Sequence, residues 1–190
     1  MTESTVLDMA GRTRFLDDIA KESGQNVNLC FQCKKCTAGC PVADEMDITP
    51  TQVIHAIRLG QNDLVLNSKT IWLCASCETC TTRCPQEVDI ARVMDACRII
   101  ARREGRKINV PEVWAFHKSV LENLRIFGRL YEMGMIGALK LRTLKFTQDM
   151  GLGIKMFLKG KLNLVPKFSG VIETNRIFSK VKKAEKRLQR

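Results

Sequence analysis

Residues 29–41 read LCFQCKKCTAGCP, and residues 73–85 read LCASCETCTTRCP. Both stretches have the spacing C-x2-C-x2-C-x3-C-P, and each cysteine of the second copy follows its counterpart by 44 residues. The similarity continues downstream, because VIHAIR at 53–58 matches VMDACR at 93–98 with a displacement of 40 residues. The chain therefore contains an internal repeat whose unit is a cysteine loop followed by a further matched segment.

Helix signals follow each cysteine loop. After the first loop, Thr49 is a predicted N-cap, Pro50 the first helical residue and Gln52 the capping-box partner, and Gly60 predicts the end of the helix. After the second loop, Asp89 is the predicted cap of a helix whose apolar residues recur at helical spacing. The repeat unit is thus predicted to be a cysteine loop followed by a helix.

The remaining sequence also favours helices. We expect an N-terminal helix from about residue 6 to residue 21, a helix over 112–131 with a broad apolar side, and a basic amphipathic helix from Thr174. Glycines predict breaks between short helical pieces at positions 128, 134, 137, 151, 153 and 160. Because no alternating strand pattern of useful length occurs, the sequence predicts an all-α fold.

The charge is unevenly distributed along the chain. The chain has 31 Lys and Arg and 20 Asp and Glu, a net charge of +11, and residues 101–190 hold 21 of the basic and 7 of the acidic residues. All nine cysteines lie between Cys30 and Cys97. We therefore predict a cysteine-bearing domain at 1–110 and a basic, helical, partner-docking extension at 111–190. With one Tyr and two Trp, the chain has few side chains for stacking on bases, and no nucleic-acid partner is expected.

The first residues and the absence of long apolar runs predict the compartment. Charged residues occupy the place of the apolar region of a signal peptide, and no run approaches the roughly 18 apolar residues of a membrane span. These features predict a soluble, cytoplasmic protein without a membrane span. In such a reducing setting, clustered cysteines favour metal ligation over disulfides.

The cysteine spacing favours iron–sulfur clusters. A lone C-x-x-C pair is typical of zinc sites, but here the complete four-cysteine run with its proline occurs twice. In two-cluster ferredoxins the cysteine before the proline ligates the other cluster. We therefore predict two [4Fe-4S] clusters with interlocked ligands. The first set is Cys30, Cys33, Cys36 and Cys84, and the second set is Cys74, Cys77, Cys80 and Cys40.

Other candidate residues are given mainly structural roles. Cys97 aligns with Ile57 of the first repeat, which favours a small buried hydrophobe over a ninth ligand or a redox switch. His55 aligns with an aspartate, and His117 lies on an apolar helix side typical of a core histidine, so neither is assigned a function. We expect apolar neighbours to shield the clusters from water, namely Leu29, Phe31, Ile71, Trp72 and Leu73.

No constellation for chemistry on a substrate is found. The sequence has no phosphate-binding loop, no dinucleotide-binding glycine pattern and no convincing Cys-His or Ser-His arrangement. No catalytic residue is therefore assigned. Electron relay between sites supplied by other polypeptides is the remaining function.

The twin motifs joined by a helical insert resemble the α-helical ferredoxin fold. The chain is also similar to the C-subunit family of heterodisulfide reductases from methanogenic archaea, through CKKCTAGCP at 33–41, IWLCASCETCTTRCP at 71–85 and GKLNLVP at 160–166. All eight ligand positions of that family are matched.

The resemblance implies a role in methanogenesis. In such a complex, a flavin- and cluster-bearing A subunit passes electrons through this chain to the cysteine-rich B subunit, which reduces the disulfide between coenzyme M and coenzyme B. The electron source is left open between dihydromethanophenazine and hydrogen with ferredoxin, as is a larger assembly with a hydrogenase or a formate dehydrogenase. A relay in a sulfur-oxidising, glycolate or succinate oxidoreductase is the alternative.

Overall fold

The computed structural model describes residues 9–144, 150–160, 166 and 168–188. Within these residues the chain is helical and has no β-strand, which confirms the all-α prediction. The α-helices are α1 Met9–Ser23, α2 Lys35–Ala38, α3 Pro50–Arg58, α4 Asn62–Leu66, α5 Thr70–Leu73, α6 Thr79–Thr82, α7 Ile90–Arg103, α8 Pro111–Phe127, α9 Glu132–Thr143, α10 Met150–Leu158 and α11 Val171–Leu188. Short 3-10 turns lie at Val27–Leu29 and Ala43–Glu45. The described residues fall into two compact units that divide between Val110 and Pro111.

Helices α1, α3 and α7 form the core of the first unit, with the short helices packed against them. Their inward side chains include Ile19, Ile54, Ile57 and Met94, each essentially inaccessible to solvent. Burying a side chain of this size contributes about 1.5–3 kcal/mol to folding. The two helices of the sequence repeat, α3 and α7, are therefore held in one hydrophobic core.

The predicted caps of these two helices are present. The backbone N–H of Thr49 donates to Gln52 Oε1 at 2.8 Å, as a capping box requires. At α7, the N–H of Arg92 donates to Asp89 Oδ1 at 3.0 Å. Each cap places a helix start shortly after a cysteine-proline pair, so the caps fix where each cysteine loop ends.

Helix α1 differs slightly from its predicted bounds. It is described from Met9 to Ser23, whereas residues 6–8 of the prediction lie outside the described part of the chain. Its buried apolar residues include Phe15 and Ile19. Helix α1 thus contributes to the core through the spacing that the sequence predicted.

The second unit begins with α8, which is shorter than predicted. It ends at Phe127 because Gly128 adopts a left-handed φ of +73°, and a Cβ at this position would lie 2.2 Å from the carbonyl oxygen of Ser169. Tyr131, predicted to lie in this helix, instead precedes α9 and donates its N–H to Asn123 Oδ1 at 2.6 Å. Helix α8 packs against both α9 and α11.

Several predicted glycine breaks are wrong. Gly134 and Gly137 lie inside α9, and Gly151 and Gly153 lie inside α10. The predicted basic helix is present as α11, which begins three residues before Thr174. The cost of about 1 kcal/mol for each glycine in a helix is therefore offset by other interactions in this part of the chain.

Burial in the second unit is unusual. Among its described residues, the fully buried side chains are the polar Ser119 and Asn123, and Arg142 Nη1 donates to Ser119 Oγ at 2.6 Å. Large apolar side chains are instead exposed at Phe116, Leu121, Ile126, Leu130, Ile136, Leu141, Leu144, Leu158, Phe168, Ile172, Ile177 and Val181. His117 is also exposed, so the prediction of a core histidine is wrong. Nowhere in the described ranges is a helix long and apolar enough to span a membrane.

Candidate metal centres

The first three cysteines of the first motif line one side of a cavity. Residues Gln32 and Lys34, which separate them, adopt left-handed φ values of +57° and +61°, so the loop curls with its thiols on one side. The cavity opens to solvent, and its volume, counted with the space at its mouth, is about 370 Å³. Its four thiols are those of Cys30, Cys33, Cys36 and Cys84. The last of these comes from the second motif.

A second cavity repeats this arrangement with the motifs exchanged. Ser76 and Glu78 have left-handed φ values of +49° and +58°, matching the loop of the first motif. The volume of this cavity, counted in the same way, is about 390 Å³. Its thiols are those of Cys74, Cys77, Cys80 and Cys40. The structure thus brings the eight cysteines together in two groups of four, and each group takes one cysteine from the other motif.

The exchange is possible because the two loops approach each other closely. Helices α2 and α6, each only one turn long, pack together. The Arg83 side chain crosses Gly39 so closely that a Cβ there would lie 2.6 Å from Arg83 Cδ. Gly39 and Arg83 directly precede Cys40 and Cys84. The two cysteine loops therefore pass one another next to the fourth cysteine of each motif, which lines the cavity of the other motif.

Ile90, the first residue of α7, lines both cavities. Further apolar lining comes from Ile54 and Val88 at the first cavity and from Val42 and Met94 at the second. Ile90 therefore contributes to the walls of both cavities. Apolar walls lower the local dielectric, which is one of the means by which proteins set the potential of an enclosed redox group.

Several polar groups contact the sulfurs of the first cavity. Gln32 donates to Cys30 Sγ from its backbone N–H at 3.4 Å and from its side-chain Nε2 at 3.3 Å. The Sγ of Cys36 lies 3.2 Å from Thr51 Oγ1, which in turn lies 2.8 Å from Thr37 Oγ1. Hydrogen bonds to sulfur stabilise negative charge on the thiolate. The first cavity is therefore provided with donors for anionic sulfur ligands.

The thiols differ in their electrostatic setting. Burial raises the pKa of the Cys40 and Cys80 thiols, and the nearby sulfur of Cys74 raises the pKa of both further. At Cys77, hydrogen bonding with the Thr79 hydroxyl lowers the pKa. Raised pKa values keep closely spaced thiols neutral until a bound metal replaces their protons.

Two arginines attach the cysteine loops to the helices that follow them. Arg58 at the end of α3 donates from Nη1 to the carbonyl oxygen of Cys30 at 3.1 Å. In α7, Arg98 donates to the carbonyl oxygens of Ile71 and Cys74. Sequence patterns do not predict these contacts, because each joins residues 24–28 positions apart. The matched positions of Arg58 and Arg98 in the two repeats were the sequence signal from which these contacts could have been predicted.

The donor chemistry of each cavity fits an iron–sulfur cluster. Four thiols surround each space, and four thiolates with apolar surroundings are the usual ligands of a [4Fe-4S] cluster. In the described residues, no three His, Cys, Asp or Glu side chains converge as the ligands of a single metal ion would. The four thiols of each group instead line a cavity.

Some residues outside the ligand sets are placed differently from their predictions. Cys97 is completely buried in the hydrophobic core, which confirms its prediction as a small hydrophobe, and burial raises the pKa of its thiol to about 12. Ile71 and Trp72 are core residues, but Leu29 and Phe31 are 49% and 70% exposed. Phe31 nevertheless lines the first cavity, so its shielding of a cluster stays a prediction, as does that of Leu29.

Comparison with known proteins agrees with this geometry. Residues 26–88 match the family model described as a 4Fe-4S dicluster domain. The chain is 32% identical over 91 residues to the C subunit of the H2:CoB-CoM heterodisulfide,ferredoxin reductase of Methanothermobacter marburgensis, with 48% of this chain and 49% of the relative covered. It is 35% identical over 96 residues to the second iron–sulfur C subunit of the CoB–CoM heterodisulfide reductase of Methanocaldococcus jannaschii, with 50% and 49% covered.

A third relative is the C subunit of the ferredoxin:CoB-CoM heterodisulfide reductase of Methanosarcina acetivorans. It is 35% identical over 79 residues, with 42% of this chain and 32% of the relative covered. The chain spans about half the length of the first two relatives. The chain is thus an all-α protein with a 4Fe-4S dicluster domain at residues 26–88, which indicates two [4Fe-4S] clusters as cofactors, and its curated relatives are subunits of an oxidoreductase.

Proposed function

We propose that this protein is the electron-transfer subunit of a CoB–CoM heterodisulfide reductase in the cytoplasm of a methanogen. It relays single electrons from a flavin-containing A subunit to a disulfide-reducing B subunit. The observation that carries the proposal is the pair of four-thiol cavities that are both lined by Ile90. The names of the relatives supply the reaction and favour an electron source that involves hydrogen or ferredoxin.

The ligand sets of the two clusters form part of this proposal. We assign the first cluster to Cys30, Cys33, Cys36 and Cys84, and the second to Cys74, Cys77, Cys80 and Cys40. Their grouping around separate cavities supports the assignment. A [4Fe-4S] cluster takes up and releases one electron at a time, and the residues of this chain hold it, exclude water from it and supply hydrogen bonds to its thiolates.

The basic unit from residue 111 to residue 190 is assigned the role of docking on partner subunits. Most of its exposed apolar side chains lie on helices that also carry lysines and arginines. A partner with a complementary acidic and apolar surface would bury these side chains and use the charges for orientation. No residue of this chain is assigned to chemistry on the disulfide substrate.

The test is purification of the native complex under anaerobic conditions through a tag on this chain, followed by identification of its other subunits. We expect a flavin-bearing chain and a cysteine-rich chain, and reduction of the CoB–CoM disulfide by the complex. Iron and acid-labile sulfide should each approach eight per copy of this chain. A complex that reduces fumarate or oxidises glycolate or sulfur would instead assign the relay to another oxidoreductase.

A further inference from the structure

The two cysteine loops have nearly the same backbone but different exposed residues. The first loop, CFQCKKC at 30–36, presents Phe31, Lys34 and Lys35, whereas the second, CASCETC at 74–80, presents small residues and Glu78 at the corresponding positions. Phe31 is 70% exposed although it also lines the first cavity. The repeat therefore allows the surfaces of the two cavities to be compared position by position.

The charges of the two cavity rims have opposite signs. We define the first rim as the loop of residues 30–36 and the second rim as the matched loop of residues 74–80, because each carries three thiols of one cavity. The charged residues of the first rim are Lys34 and Lys35, and both line the first cavity. The charged residue of the second rim is Glu78, and neither lysine nor arginine occurs in that loop.

An exposed aromatic ring beside two lysines is costly to leave in water, and Phe31 lies outside the hydrophobic core of this unit. Leu29, which precedes Cys30, is 49% exposed and extends the apolar patch, while its counterpart Leu73 is half-buried. Aromatic side chains surrounded by positive charge are typical of the centres of protein interfaces with acidic partners. The first rim has both features, and the second rim has neither.

We propose that the first rim is the docking surface for an electron-transfer protein whose own surface has carboxylates around an apolar recess that receives Phe31. Lys34 and Lys35 pair with those carboxylates, and the bound partner lies directly over the cavity of Cys30. The second rim has Glu78 where the first has Lys34, so it repels the carboxylates of the same partner. The proposal rests on the relay function and gives the two clusters distinct partners.

Exchange of the loop residues tests this inference with a built-in control. The variant Phe31→Ala/Lys34→Glu/Lys35→Thr gives the first loop the residues of the second, and Ala75→Phe/Glu78→Lys/Thr79→Lys is the mirror variant. Both loops should tolerate the exchange, because Lys34 and Glu78 have matching φ values of +61° and +58°. Iron content and cluster spectra establish that each variant is loaded before binding is measured.

The probe is the set of subunits in the native complex, purified through the tagged chain. We expect the first variant to lose one acidic subunit, with a dissociation constant raised on the order of tenfold or more, and the mirror variant to retain it. In the unaltered complex, a carbodiimide should join Lys34 or Lys35 to aspartates or glutamates of that same subunit. Equal retention by both variants, or lysine cross-links confined to this chain, would overturn the inference.

The same experiment distinguishes failure of the proposed function from failure of the docking surface. A complex that lacks the disulfide-reducing chain but still loses an acidic subunit in the first variant would refute the heterodisulfide reductase assignment and support the docking surface. A complex with the expected chains whose assembly is unaffected by the first variant would refute the docking surface alone.

Discussion

Arg58 donates a hydrogen bond from its guanidinium to the backbone carbonyl oxygen of Cys30 at 3.1 Å. The second repeat contains the same relationship, since Arg98 donates to the carbonyl oxygen of Cys74. Each arginine lies at the matched position of its repeat helix, and each cysteine is the first of its motif. The helix that follows each loop therefore fixes the point where that loop begins, and it places a positive charge beside the loop.

Replacement of Arg58 should change the potential of the cluster held by the first cavity. A nearby cation favours the more negative, reduced state, so Arg58→Gln should lower the midpoint potential of this cluster, by on the order of 60 mV for a tenfold change in the reduction equilibrium. Arg58→Lys keeps the charge and should recover part of the shift. The measurement is a redox titration followed by electron paramagnetic resonance.

The control for this prediction is Arg14→Gln, which removes an exposed arginine of α1. It should leave both potentials unchanged. If Arg58→Gln altered neither potential, or altered both equally, the arginine would serve only to anchor the backbone.

The crossed ligand sets predict which cluster each fourth cysteine serves. Cys40 lines the cavity of Cys74, Cys77 and Cys80, so Cys40→Ser should perturb the spectrum of that cluster and leave the other intact. Cys84→Ser should do the reverse. Mössbauer and electron paramagnetic resonance spectra of the two variants make the comparison, and disturbance of the cluster within the same motif would show that the motifs are self-contained.

The sequence predicted the structural features that depend on nearby residues or on the internal repeat. Helices α3 and α7 and their caps at Thr49 and Asp89 follow from patterns within a few residues, and the burial of Cys97 follows from alignment with Ile57. Exposure of Phe31 could not be predicted, because an apolar residue beside a cysteine is equally consistent with a covered or an open loop. The burial of polar Ser119 likewise depends on α9, whose Arg142 reaches it from 23 residues away.

Replacement of Cys97 should leave both clusters in place. Its thiol lies in the core away from both cavity linings, so Cys97→Ala removes only packing, at a cost of about 1 kcal/mol in the free energy of unfolding. Thermal unfolding of the loaded protein measures the cost, and iron analysis measures the clusters. A fall to four irons per chain would give Cys97 a role in cluster assembly.

Asp47 joins the first repeat to the start of α5, and its contribution to the free energy of unfolding should depend on pH. Its carboxylate accepts from the N–H groups of Lys69 at 2.7 Å and Thr70 at 3.1 Å, and from the Thr70 hydroxyl at 2.7 Å. Burial acts to raise the pKa of Asp47, but these hydrogen bonds together with one from Ile48 lower it overall. The ionised carboxylate therefore stabilises the fold.

Because the pKa of Asp47 is lower in the folded state than in the unfolded state, its contribution is complete above the unfolded value of about 4 and is lost as the pH falls through the folded value. Asp47→Asn should cost about 1 kcal/mol in the free energy of unfolding, because the amide keeps only one of the two acceptor oxygens. The difference from the unaltered protein should stay constant between pH 8 and pH 5, where the clusters can be kept intact. Asp44→Asn, which changes an exposed carboxylate nearby, is the control. A difference that grows or shrinks within this range would indicate another titrating group.

Removal of residues 111–190 should separate cluster binding from partner binding. The buried apolar side chains of the described structure all lie between Phe15 and Ala101, within the first unit, so the truncated chain should keep its core and both clusters. The second unit presents exposed apolar and basic side chains, so its loss should weaken association with the partner subunits. The difference in association between the full-length and truncated chains should be smaller at high salt, because screening already reduces the electrostatic attraction of the full-length chain to its partners. Reconstituted full-length and truncated chains are compared by iron content, by cluster spectra and by co-elution with the partner subunits at low and high salt. Loss of both clusters would make residues 111–190 part of the core that holds the clusters. Undiminished co-elution and electron transfer would refute the docking role of residues 111–190.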